Sequence, residues 1–198
     1  MATQERVGTR DRIVFASAEL FRRQGYAGTG MKQIVAAAEA PFGSVYHFFP
    51  GGKEQLGDEV IRVAGAFFLR LFETIADEAP DFETGVRDFF DGAAQTLVAT
   101  DYADACPIAT VALEVASTNE TLRGATDDVF ESWIAAATER GVQAGLDAPR
   151  ARALAISLVA LIEGGFMLSR AARSTEPMQA AGATAAVALR AALAERAG

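Results

Sequence analysis

One cysteine, one histidine and one tryptophan in 198 residues set limits before any motif is read. Cys106 has no partner for an internal disulfide, and a lone thiol suits a reducing compartment. Cys106 and His47 stand in different regions, which leaves neither a Cys–His nucleophile pair nor a metal site of ordinary ligand count. A phosphate-cradling glycine loop and a serine elbow motif are also missing, so no enzyme activity, catalytic residue, metal or cofactor is expected. Long apolar runs are scarce. The most apolar, Ala153 to Ile162, stops at Glu163 and is too short to span a bilayer, so it reads as a buried or interface helix without membrane contact. The opening MATQERVGTRDR has no apolar core of a signal peptide, and a cytoplasmic protein is expected.

With 51% hydrophobic residues a disordered or fibrous chain is excluded. Only six prolines and few alternating β-branched runs, against abundant Ala, Leu, Glu and Arg, point to an all-α fold. The net charge of −8 is unevenly spread. Residues 1–56 carry seven Lys/Arg against five acids, a net of +2, and the remaining 142 carry eleven against twenty-one, a net of −10. Such a split is compatible with a nucleic-acid-binding head on an acidic body.

The head is legible residue by residue. A first helix is predicted from Thr9, a plausible N-cap, to Gln24, with Ile13, Ala16, Leu20 and Phe21 inward and Arg10, Arg12, Arg22 and Arg23 outside. Gly25 stands where a left-handed helix end belongs. Met31, Ile34, Val35 and Ala38 then mark one face of a second helix, which Pro41 breaks. A third helix of about two turns carries Val45 and Phe49 inward and Gly43, Ser44, Tyr46 and His47 largely outward. So short a helix is marginal alone. Two short helices joined by a tight turn suggest a helix-turn-helix whose second member enters the DNA major groove.

Beyond Gly51-Gly52 a long connector helix is expected from Lys53 to about Ala79, followed by helices over about 82–100, from Pro107, from Asn119 to near Gly145, from Pro149, and from Pro177 to about Arg196. The last two carry more apolar and small-residue surface than one buried side requires. The preferred reading pairs them with the same helices of a second chain; the alternative is the central core helix of a monomer. Phe67, Phe68, Phe72, Phe89, Phe90, Phe130, Trp133, Phe166 and Met167 read as core, and their abundance also suits an apolar cavity. Glu114 and Glu163, acids inside apolar stretches, pair with arginine, face solvent or orient a polar or cationic ligand.

Phe21-x-x-x-Gly25-Tyr26-x-x-Thr29, then Gly43-Ser44-Val45-Tyr46-His47-Phe48-Phe49-Pro50 and Lys53-Glu54-x-Leu56, together resemble the TetR family of bacterial transcriptional regulators. Pro50-Gly51-Gly52-Lys53-Glu54 and the stretch Cys106 to Glu114 are similar to its LmrA/YxaF-type subgroup. The resemblance implies an N-terminal three-helix helix-turn-helix head (residues 1–52, the family-type head reaching about 66) and a helical effector-binding and dimerisation body (53–198). It implies a homodimer, joined through the last two helices, that reads a palindromic double-stranded operator, most simply as a repressor released by a small molecule. Thr29, Tyr46 and Lys53 look like phosphate contacts, and Gly43, Ser44 and His47 would lie against the groove. Lys32 is either solvated or a further phosphate contact, and Phe42 could touch a thymine methyl. Ligand-binding candidates in the body are Phe68, Phe72, Phe90, Thr110, Glu114, Trp133 and Phe166. The chain departs from the family pattern at Glu39, where the turn glycine is usual, at Pro41, usually a small polar cap, and at Phe42, commonly basic. A dimeric helical ligand-binding or interaction protein without DNA function is the rival reading.

Overall fold

The computed structural model describes residues 8–195, and all its regular elements are helices. In chain order these are α1 (Thr9–Gln24), α2 (Met31–Ala37), α3 (Phe42–Phe48), α4 (Gly52–Glu78), α5 (Phe82–Ala99), α6 (Pro107–Val115), α7 (Glu120–Gln143), α8 (Ala148–Ala172) and α9 (Glu176–Ala194). The expected end of the last helix near Arg196, and the basic Arg6, lie outside the described residues. The chain forms two compact units. One comprises residues up to Ala64 with Pro107–Asp127; the other comprises Gly65–Cys106 with the residues from Asp128 onward.

In the first unit α1 packs on α2, α3 and α6. Ile13, Val14, Ser17 and Phe21 form its buried stripe, while Ala16 and Leu20, expected inward, are only half-buried. Gly8 rather than Thr9 occupies the N-cap. The end of α2 is a full Schellman turn: Ala40 N–H donates to Val35 O and Glu39 N–H to Ala36 O. Glu39 takes the left-handed position of that turn at φ 49°, where glycine would carry no Cβ penalty. Arg12 supports the turn from α1, its Nε donating to Ala38 O at 3.0 Å and its guanidinium to Glu39 O at 3.3 Å. These two carbonyls would otherwise be orphans of the helix end. α3 is anchored by Val45 and Phe49, both buried.

The second unit is centred on α8, α9 and α5. Val86, Phe90 and Leu97 from α5, Leu158 and Ile162 from α8, and Met178, Ala185 and Leu189 from α9 share one core. Small residues set the spacing: a Cβ on Gly165 would meet Met178 Sδ at 2.9 Å, and one on Gly182 would meet Phe90 Cβ at 2.9 Å. Asp81 caps α5 through Thr84 N–H at 2.7 Å, and Asp147 caps α8 through Arg150 N–H at 3.0 Å. The apolar character of α8 continues past Glu163 to Ser169, so by length and composition alone it could cross a membrane, contrary to the expectation from the shorter run. The same helix buries Ala151, Ala155, Leu158, Ile162, Gly165 and Ser169 within this unit.

Candidate functional site

The outer face of α2–α3 is built by what the inner face requires. With Val45 and Phe49 turned inward, the helical period leaves Phe42, Gly43, Tyr46 and His47 exposed and Ser44 half-buried. Phe42 and Tyr46 stand edge to face, ring centroids 5.9 Å apart, so one apolar ring props the phenol outward. A Cβ on Gly43 would meet nothing within 4 Å, so the fold does not demand glycine there; its effect is to keep the face low. Lys32 is exposed on α2. Lys53, in the first turn of α4, places its ammonium 4.3 Å from the centroid of the Tyr26 ring. Burial pushes its pKa down, and the Glu114 carboxylate opposes that shift.

Thr29 is not placed for the phosphate contact expected of it. It is 1% exposed, its hydroxyl donating to Gly25 O at 2.7 Å and accepting from Gln24 Nε2 at 3.2 Å. The side chain ties the end of α1 to the start of α2, and the Gln33 carboxamide completes the junction by accepting from Gly30 N–H at 2.7 Å. Glu114 differs as well. Its Oε2 accepts from Ala27 N–H at 2.6 Å, in the turn after α1. Nothing in the sequence around Glu114 announced that contact, which joins residues 87 positions apart.

The second unit holds an apolar cavity of about 80 Å³. α4 supplies Phe68, Leu69 and Phe72; α5 supplies Val86, Phe89 and Phe90; α7 supplies Trp133 and Ala137; α8 supplies Leu158, Val159, Ile162, Glu163 and Phe166; and Cys106 completes the lining. Five of the residues anticipated as ligand contacts, Phe68, Phe72, Phe90, Trp133 and Phe166, are therefore brought together here. Thr110 and Glu114 are not among them, because α6 belongs to the other compact unit. Trp133 is fixed by donating Nε1–H to Gly65 O at 3.0 Å, and Gly65 has no side chain because Val129 occupies that space, 2.5 Å from where a Cβ would stand. Phe72 and Phe89 meet edge to face at 5.5 Å, as do Phe68 and Trp133 at 6.3 Å.

Glu163 is the one carboxylate in this lining. Burial pushes its carboxyl up to about 7, and a hydrogen bond from the Cys106 thiol only partly offsets that rise. The sequence had flagged Glu163 as an acid in an apolar stretch; its pairing with Cys106, 57 positions earlier, was not legible.

Comparison with known proteins supplies the context. A family model described as bacterial regulatory proteins, tetR family, matches residues 13–60, and one described as transcriptional regulator LmrA/YxaF-like, C-terminal domain, matches residues 83–184. The HTH-type transcriptional regulator LmrA of Bacillus subtilis is 31% identical over 170 residues, covering 86% of this chain and 90% of that protein. The uncharacterized HTH-type transcriptional regulator YxaF of the same organism is 34% identical, covering 86% of this chain and 89% of its own. Among solved structures, a TetR transcriptional regulator from Legionella pneumophila superposes with a TM-score of 0.82 at 22% identity, covering 92% of this chain and 97% of that one. At that identity the likeness speaks for the fold alone.

Proposed function

The chain belongs to the TetR family of bacterial transcriptional regulators, which bind DNA through a helix-turn-helix, and from that premise we propose that it is a homodimeric cytoplasmic repressor released from its operator by a small molecule. The observation that carries the reading is the face of α3: Gly43, Tyr46 and His47 project from a helix whose other side is locked by Val45 and Phe49. A helix so held can lie in a major groove with its exposed residues against base edges and phosphates. Gly43, Ser44 and His47 form the groove side, Phe42 adds an apolar contact, and Tyr46, Lys32 and Lys53 reach phosphates. In functional terms residues 1–52 are the reading head and 53–198 the effector and dimer body.

The effector site is the aromatic cavity around Phe68, Phe72, Phe90, Trp133 and Phe166. Two segments support its coupling to the head. α4 contributes residues to both compact units, and Cys106 in the cavity lining is followed directly by α6, which holds the turn after α1 through Glu114. A ligand acts on such a system only through different affinities for the two arrangements of the heads.

The test is retention of the DNA upstream of the protein's own coding region by the purified dimer across a salt series. Retention should fall steeply with salt, with log affinity linear in log salt. An absence of salt-sensitive retention would overturn the regulator reading.

A further inference from the structure

The cavity in the second unit has an imbalance that its apolar lining does not resolve. Among the described residues, no lysine, arginine or histidine stands with its carboxylate, Glu163, in the cavity lining. The group in contact with it is the Cys106 thiol, a weak donor. A carboxylate turned partly out of water, as the half-buried Glu163 is, is most stable when it is paired with a cation or keeps its proton. The same lining holds the rings of Phe68, Phe72, Phe90 and Trp133, and aromatic faces attract positive charge.

We propose that the ligand taken by this cavity is a lipophilic organic cation, a protonated amine or quaternary ammonium on a small apolar body, with its charged head at Glu163 and its body among the aromatic rings. The inference rests on the effector reading above and narrows it to a chemical class. The cation supplies the counter-charge that the protein withholds, so binding favours the ionised carboxylate. An anion would meet like charge, and a neutral alcohol would leave the carboxylate without a counter-ion. Size limits the body: about 80 Å³ is roughly half the ~150 Å³ of a dry protein cavity that binds benzene, so a single ring is the upper bound and enters only as the lining side chains give way.

Trp133 is the sole tryptophan and lines the cavity, which makes its emission a direct reporter. The full-length protein is titrated with 2-phenylethylamine, 2-phenylethanol and phenylacetate, which share a ring and differ in charge. The amine is expected to bind at least tenfold more tightly than the alcohol, and the phenylacetate most weakly. Glu163→Gln, close in shape, should erase the preference for the amine while leaving the alcohol's affinity within about twofold. Amine affinity should also rise between pH 6 and 8, as the carboxyl gives up its proton while the amine keeps its own. Equal or tighter binding of the alcohol or the anion to the wild type, or a preference that survives Glu163→Gln, overturns the cation class. If those neutral or anionic compounds also weaken operator retention, the effector reading stands without it. If no compound of any charge changes Trp133 emission or thermal stability, the cavity is not the ligand site and both readings fall.

Discussion

Gly25 holds a backbone at φ 79°, ψ 170°, a region that essentially only glycine populates. A Cβ there would also stand 1.8 Å from Glu114 Oε1, so the carboxylate that accepts Ala27 N–H would have to swing away. Gly25→Ala should therefore cost about 3 kcal/mol, the strained backbone and a lost charge-assisted hydrogen bond contributing comparable parts. Glu114→Ala alone should cost about 1–2 kcal/mol. In the double variant the carboxylate is already gone, and the summed cost should fall short of additivity by about 1 kcal/mol or more. Urea unfolding of the four proteins measures this coupling. Strict additivity would mean that Glu114 does not hold the turn after α1. The same residue-level logic makes Thr29 a fastener of the α1–α2 junction rather than a phosphate contact, since its hydroxyl is already engaged.

Among elements, α3 is the one whose assignment matters most, and its outer face is nearly without charge. Phosphate attraction must then come from its borders, Tyr46 at one side and Lys53 at the start of α4. Lys53→Ala should weaken operator and random DNA alike and lower the slope of log affinity against log salt by about 1. Tyr46→Phe, which removes a neutral hydroxyl, should weaken both sequences without changing that slope. Fluorescence anisotropy on both duplexes across a salt series separates the two effects. If neither variant shifts affinity, the phosphate assignments are wrong. How far such elements could be read beforehand followed from the range of the signal. The C-terminal limit of α1 lay in Gly25, local punctuation that the structure keeps, whereas its N-cap is Gly8 and not Thr9; the break after α2 lay in Pro41. The turn itself survives a departure from the family pattern because Arg12 caps its carbonyls, a contact 26 residues away that no periodicity encodes. The aromatic spacing placed Phe68, Phe72, Phe90, Trp133 and Phe166 on inward faces, yet it could not say which neighbour each helix would meet. Thr110 and Glu114 fall outside the cavity lining for that reason: apolar period identifies a buried side, and α6 buries its side in the first unit.

For the whole molecule the question is what covers the outer side of α8 and α9. Ile156, Met167 and Leu168 on α8 and Val187 on α9 are each between 46% and 62% exposed, and small residues lie between them. At Gly164 a Cβ would meet nothing within 4 Å, so its glycine is not needed by the described packing of α8. Exposed apolar residues on two adjacent helices are what the proposed two-fold four-helix interface would draw on. Dimerisation also answers a geometric demand of operator reading, because two heads must reach major grooves about one helical turn, ~34 Å, apart. A charge introduced into this face would appear twice in the proposed dimer, and each copy would cost several kcal/mol to bury. Val187→Glu and Met167→Glu should therefore convert the protein to monomers of 20.8 kDa with unchanged helicity, and operator affinity should fall by a hundredfold or more. Sedimentation equilibrium gives the mass, circular dichroism the helicity and gel retention the affinity. A wild-type protein that is itself monomeric at micromolar concentration, or a dimer that survives both charges, would place the interface elsewhere. Loss of DNA binding by monomers that keep their fold would tie the acidic body to the weakly basic head through assembly alone, since neither substitution lies among the residues proposed to read DNA.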